Sequence, residues 1–126
     1  MKQEILITEY DPKWPLIFQR EKEKILVAIG EYIKAIEHIG STSVVGLAAN
    51  RHFHLHIAEE NSSFWKEHIL FRDFLRRDPS LAHHYEELKK QLAVTSHGDI
   101  QLYCSGKSEF IKNVIQHNCL CGEQMV

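Results

Sequence analysis

Apolar and polar residues along the chain follow two alternating patterns, one short and extended, the other helical. Ile5 to Ile7 is a brief strand-like run that Asp11-Pro12 breaks. Beyond it Trp14, Phe18, Ile25, Ala28, Ile29 and Tyr32 keep helical spacing, with the charges from Arg20 to Lys24 on the other face. Gly30 predicts the end of that helix. Ile33 to Ile39 then predicts a strand running straight into Gly40-Ser41-Thr42. Further on, Ser62 or Ser63 is placed to cap a helix carrying Phe64, Phe71 and Leu75 on one side, and Asp78-Pro79 stops it. The same pair supplies a cap and a first-turn proline for the next helix, in which Leu81, Tyr85, Leu88 and Leu92 recur at helical intervals. Thr95 to Asp99 predicts a loop, and a last helix is expected from around Ser105 with Phe110, Ile111, Val114 and Ile115 as its buried stripe.

Composition narrows what such a domain does. The 126 residues suit a single domain over 1–126 with one core. A formal charge of −2 leaves no basic footprint, which argues against a nucleic-acid partner. The start of the chain has no apolar core long enough for a signal peptide, and no run approaches the roughly 18 apolar residues of a membrane span. A cytoplasmic protein without a membrane partner is the expectation. Cys104, Cys119 and Cys121 are an odd number gathered near the C-terminus, which fits a reducing compartment better than a disulfide framework.

Two stretches carry candidate chemistry. Gly40-Ser41-Thr42 is a small-residue turn after an apolar run; its backbone N–H groups and hydroxyls are of the kind that donate to phosphate oxygens, although such a turn is also an ordinary strand terminator. In Arg51-His52-Phe53-His54-Leu55-His56-Ile57 a period of two sends His52, His54 and His56 to one face. Three imidazoles match the nitrogen ligands of a catalytic zinc site, so Zn²⁺ or another transition metal is one reading. The commoner reading is a solvated or hydrogen-bonded histidine face. Gly106-Lys107-Ser108 lacks the glycine five residues upstream that a P-loop needs, since that position is Gln101, so a P-loop kinase is excluded. Lys107 reads as an exposed first-turn lysine within reach of a ligand phosphate, and Arg72, Asp73, Arg76, Arg77 and Asp78 as a solvated helix end.

Several motifs in order resemble one family. They are Tyr10-Asp11-Pro12-Lys13-Trp14-Pro15, Ile36-Glu37-His38-Ile39-Gly40-Ser41-Thr42-Ser43-Val44, Phe71-Arg72-Asp73-Phe74-Leu75, Tyr85 to Lys89, and Tyr103 with Gly106 to Ile111. Together they span nearly the whole chain and resemble the GrpB family of uncharacterised bacterial proteins. The resemblance implies an α+β, nucleotidyltransferase-like fold: a mixed sheet flanked by helices, with a helical C-terminal half. It implies that Gly40, Ser41 and Thr42 hold the phosphates of a nucleotide or another small phosphate-containing ligand. Arg72 and Lys107 match the family's basic positions, and His54 and His56 match its histidine-rich strand. The family's own activity is not established, so the resemblance names no catalytic residue.

Two departures bear on mechanism. Val45 stands where the family usually has proline. After Gly46-Leu47-Ala48-Ala49 the family continues with an apolar strand containing an aspartate, whereas here Asn50 leads directly to Arg51-His52. A few dozen residues, including the acidic metal ligand, are expected to be missing between positions 50 and 51. Metal-assisted nucleotidyl transfer needs carboxylate oxygens to hold Mg²⁺ against a triphosphate, and between Ser41 and His56 there is no Asp or Glu. Weak or absent transferase activity follows, with Mg²⁺ a cofactor only if that segment exists. The alternatives are a non-catalytic module that binds metal or ligand, and a structural remnant that self-associates across the truncated sheet.

Overall fold

A computed structural model of the chain describes residues 4–50 and 55–123, with side chains as far as His117. It is a mixed α+β fold dominated by helices: β1 (Ile7–Thr8), α1 (Trp14–Ile29), β2 (Ala49–Asn50), α2 (Ser63–Arg77), α3 (Pro79–Thr95) and α4 (Ile100–Glu123). Short 3₁₀ turns lie at Gly30–Tyr32 and Ser41–Ser43. Among the described residues the sheet has two antiparallel strands, with Ile7 opposite Asn50 and Thr8 opposite Ala49.

Local chemistry sets most helix ends. Ser62 caps α2, its hydroxyl accepting from the Trp65 N–H at 3.3 Å. Asp78 both ends α2, donating its N–H to Phe74 O, and caps α3, its carboxylate accepting from the amides of Ser80 and Leu81. Pro79 fits the first turn of α3, where no intrahelical N–H partner is required. The expected start of the last helix at Ser105 is corrected to Ile100, because Asp99 accepts from the Gln101 and Leu102 amides and so begins the helix a full turn earlier.

The core lies where α2, α3 and α4 meet the segment after the Gly-Ser-Thr turn. Val44, Leu47, Phe71, Leu75, Tyr85 and Val114 are buried together, with Leu81, Phe110 and Ile111 packed around them. Phe71 contacts Tyr85 edge-on, with ring centroids 5.1 Å apart. Of the expected stripes, Leu81 and Tyr85 on α3 and Phe110, Ile111, Val114 and Ile115 on α4 pack into this core.

The N-terminal expectations hold less well. Ile33–Ile39 is not a strand; a strand needs a neighbour to complete its backbone ladder, and the two-stranded sheet among the described residues does not include this segment. On α1 only Trp14 of the expected stripe is buried, while Ile29 and Tyr32 face outward.

Candidate functional site

Gly40 creates the turn. It adopts φ 80° and ψ −177°, a conformation that residues with a Cβ reach only under strain. The chain then closes a single 3₁₀ turn, in which the Ser43 N–H donates to Gly40 O at 3.0 Å and the Val44 N–H to Ser41 O at 3.2 Å. The Ser43 hydroxyl donates to the same Gly40 carbonyl at 2.5 Å. These bonds occupy the amides of Ser43 and Val44. Among the described residues the Ser41 and Thr42 amides donate to no backbone carbonyl.

Helix α2 fixes the turn from one side with two arginines four residues apart, hence on one face. Arg72 is buried, and its Nη1 donates to Glu37 Oε2 at 2.6 Å and to His38 O at 3.2 Å, while its Nε donates to Asp73 Oδ1 at 3.0 Å. Burial opposes the charge, but the bonds to Glu37 and Asp73 outweigh it and raise the guanidinium pKa. Arg76 Nε donates to Ser43 O at 2.9 Å. His38 lies 2.9 Å from Thr42 Oγ1 through Nε2, and its ring stacks on Phe18 with centroids 4.6 Å apart. Burial, then the charges of Arg76 and Arg72, push the His38 pKa below its ordinary value, which favours the neutral imidazole.

Helix α3 reaches the turn through Lys89, which is only 2% exposed. Its ammonium donates to Ser41 Oγ at 2.6 Å and to Ala48 O, and sits 5.0 Å from the centroid of the Tyr85 ring. Both hydrogen-bond acceptors are neutral. Desolvation, followed by the neighbouring charge of Lys107, brings the Lys89 pKa down to about 7. Burial also raises the Tyr85 phenol above its ordinary value, against a hydrogen bond with Ser41 that lowers it.

Helix α4 adds Tyr103 and Lys107. Tyr103 is 2% exposed and its hydroxyl has no partner among the described residues. Burial pushes its pKa up to about 12. Lys107 is half-buried with its ammonium 4.5 Å from the Tyr103 ring centroid. Burial lowers its pKa, with Cys104 pulling the other way.

The structure therefore brings Ser41 and Thr42 together with Lys89, Arg72 and Arg76. The reading of the α2 end as a solvated face is corrected at Arg72, which is buried because Glu37, Asp73 and the His38 carbonyl satisfy its donors. The reading of Lys107 as an exposed first-turn residue is corrected as well, because the earlier start of α4 places it in the second turn over Tyr103. Lys89 was missed as a site residue, although its position held a signal. It follows Tyr85 by four residues, so a lysine occupies the apolar stripe of α3.

Among the described residues no carboxylate is hydrogen-bonded or ion-paired to a group of this turn. Glu37 and Asp73 are bound to Arg72, and Glu86 lies 3.5 Å from Lys90. The groups converging on the turn are cations, so the residues present do not fit a divalent metal.

His52 and His54 of the candidate histidine face lie outside the described residues. His56 is exposed, its ring centroid 6.0 Å from that of His68 and 5.3 Å from that of Phe64. Among the described residues no group of three or more His, Cys, Asp or Glu side chains is arranged to hold a metal ion, and no helix is long and apolar enough to cross a membrane.

Comparison with known proteins supplies an independent view. Residues 4–52 and 50–117 match the family described as GrpB protein, in two segments that meet at positions 50–52. UPF0157 protein YqkA of Bacillus subtilis is 31% identical over 158 positions, covering 88% of this chain and 46% of its own length. Those 158 positions exceed the 126 residues here, so YqkA carries internal residues with no counterpart in this chain. The glutamate-rich protein GrpB of Alkalihalophilus pseudofirmus is 24% identical, with 90% of this chain and 95% of that protein covered. The crystal structure of the conserved protein GrpB from Enterococcus faecalis aligns with a TM-score of 0.71 at 26% identity, over 86% of this chain and 99% of that one.

Proposed function

The chain belongs to the GrpB family, and on that premise we propose that it is a nucleotide- or phosphate-binding domain of nucleotidyltransferase-like fold whose catalysis is weak or absent. The observation that carries this reading is the bond from the Lys89 ammonium to Ser41 Oγ. It places a buried cation directly behind a small-residue turn whose Ser41 and Thr42 amides make no backbone bond among the described residues. Amides, hydroxyls and ammonium groups converging on one spot suit an anion with several oxygens. Arg76 and Lys107 add positive charge with no carboxylate partner among the described residues. Nucleotidyl transfer also needs carboxylates on a metal, and this turn has cations in their place.

Titrating purified protein with ATP, GTP and pyrophosphate, followed by calorimetry and thermal melting, tests the reading. Binding is expected for at least one of them, weakened about tenfold by Ser41→Ala in protein that still melts as a folded domain, the variant itself losing about 1–3 kcal/mol because Lys89 keeps only Ala48 O as acceptor. A protein whose melting none of the three affects would refute it. No nucleotide incorporation is expected with Mg²⁺ present.

A second reading, a transition-metal module, draws on the closeness of His56 to His68. The His68 Nδ1 lies 2.8 Å from Phe64 O, an arrangement that leaves Nε2 as the ligand atom. Zn²⁺-induced stabilisation that survives His56→Ala with His68→Ala would sink this reading.

A further inference from the structure

Helices α3 and α4 carry the same pair of residues at the same interval. Tyr85 and Lys89, like Tyr103 and Lys107, are four apart, so each ammonium lies over the phenol one turn before it. The helices approach closely where α4 has Gly106, since a Cβ there would stand 2.6 Å from Leu92 Cδ2. Lys107 follows Gly106 directly, and its charge is felt at Lys89. Neither ammonium is paired with a carboxylate: Lys89 donates to two neutral oxygens, and Lys107 makes no hydrogen bond or ion pair among the described residues. The ring under Lys107 is that of Tyr103, whose hydroxyl is buried and has no partner among the described residues. A buried donor left unpaired and two like charges held together are both costly, and one multivalent anion relieves both.

We infer that Lys107 and the Tyr103 hydroxyl, with Lys89 behind them, form a corner that binds a phosphoryl group directly, the ammonium groups supplying the positive charge that a divalent cation supplies elsewhere. This rests on the preceding reading that the ligand carries phosphate, and it commits that ligand to metal-independent binding. A phosphoryl group has enough acceptor oxygens to take the Lys107 ammonium, the phenol proton and the Ser41 hydroxyl together. To reach the phenol the anion draws Lys107 off the Tyr103 ring, a contact that is weak at partly exposed sites. A terminal nucleotide phosphate and inorganic pyrophosphate share this chemistry.

Calorimetric titration with pyrophosphate and with ATP, each in EDTA and in Mg²⁺, separates the possibilities. Binding in EDTA at least as tight as in Mg²⁺ is expected. Lys107→Met should weaken it about tenfold or more, Tyr103→Phe about fivefold, and Lys107→Arg should restore most of the loss. These variants leave the Lys89 bonds in place, so folding is not at stake, and melting curves without ligand check that. Tighter ATP than pyrophosphate binding identifies the nucleotide as the source of the phosphoryl group, and the reverse order identifies the free anion; either order supports the corner when the variants respond as stated. Binding that requires Mg²⁺, or that Lys107→Met leaves unchanged while Ser41→Ala weakens it, overturns the corner and leaves the phosphate reading standing. No binding by the unmodified protein overturns both.

Discussion

The helical half and the N-terminal half of this molecule meet at one turn but are built to different standards. Helices α2, α3 and α4 bury Phe71, Leu75, Tyr85 and Val114 around a common centre. In the N-terminal half α1 buries only Trp14, and Val27 and Tyr32 stand 90% and 80% exposed. The irregular Ile33–Ile39 segment lacks strand neighbours among the described residues, and the relative YqkA has internal residues that this chain does not. The comparison teaches that the cations of the proposed site stand on the well-packed helices, while the turn they hold is carried by a chain whose packing is good only from Ser43 to Ala49 and sparse along α1. Bonds from Arg72, Arg76 and Lys89, together with Val44 and Leu47 buried among the helices, join the two.

The widest gap between the halves should appear in core truncation. Leu75→Ala is expected to cost about 2–5 kcal/mol in chemical denaturation, against less than about 0.5 kcal/mol for Val27→Ser. Similar losses at both positions would show that the halves are equally packed. Arg72→Met tests the joint: it removes the donors to Glu37 and His38 O and should cost about 1–2 kcal/mol while sparing helix content measured by circular dichroism. A neutral result would mean that the turn is held without Arg72.

A smaller effect is expected from pH. The Lys89 pKa is lowered from 10.5 to about 7 in the folded protein, so above pH 7 the unfolded chain keeps a proton that the folded one has released. Stability from this group therefore rises with pH from about 7, until Tyr85 and Tyr103, whose pKa values folding raises, begin to oppose it near pH 10. Thermal melting between pH 7 and 9.5 should show an upward slope that Lys89→Met flattens. His38, lowered from 6.5, adds a loss of stability on acidification below that value. An unchanged slope in Lys89→Met would remove the buried lysine from this account.

The sequence was most legible where each signal is local. Ser62, Asp78 and Pro79 mark helix ends through contacts spanning a few residues, and they hold in the structure. Asp99 is the same kind of signal, and overlooking it shifted α4 by more than a turn and hid the placing of Lys107 over Tyr103. Ile33–Ile39 misled because an apolar run reports burial potential, whereas a strand depends on a neighbour elsewhere in the chain. Gly40, Ser41 and Thr42 were identifiable as a turn, yet Arg76 and Lys89, which hold Ser43 and Ser41, lie more than 30 positions away. Only the lysine interrupting the apolar stripe of α3 hinted at that connection.

The corner at Asp78, which closes one helix and opens the next, also bears on the order of folding. Because its hydrogen bonds reach no further than Phe74 and Ala82, the α2–α3 hairpin closes with little loop entropy and should form early. The bonds from Arg76 to Ser43 and from Lys89 to Ser41 span 33 and 48 positions, and they can be made only once that hairpin presents its cations. The Gly-Ser-Thr turn should then be captured by a surface already assembled, so the proposed site is expected to be the last part of the molecule to acquire its shape and the first to lose it.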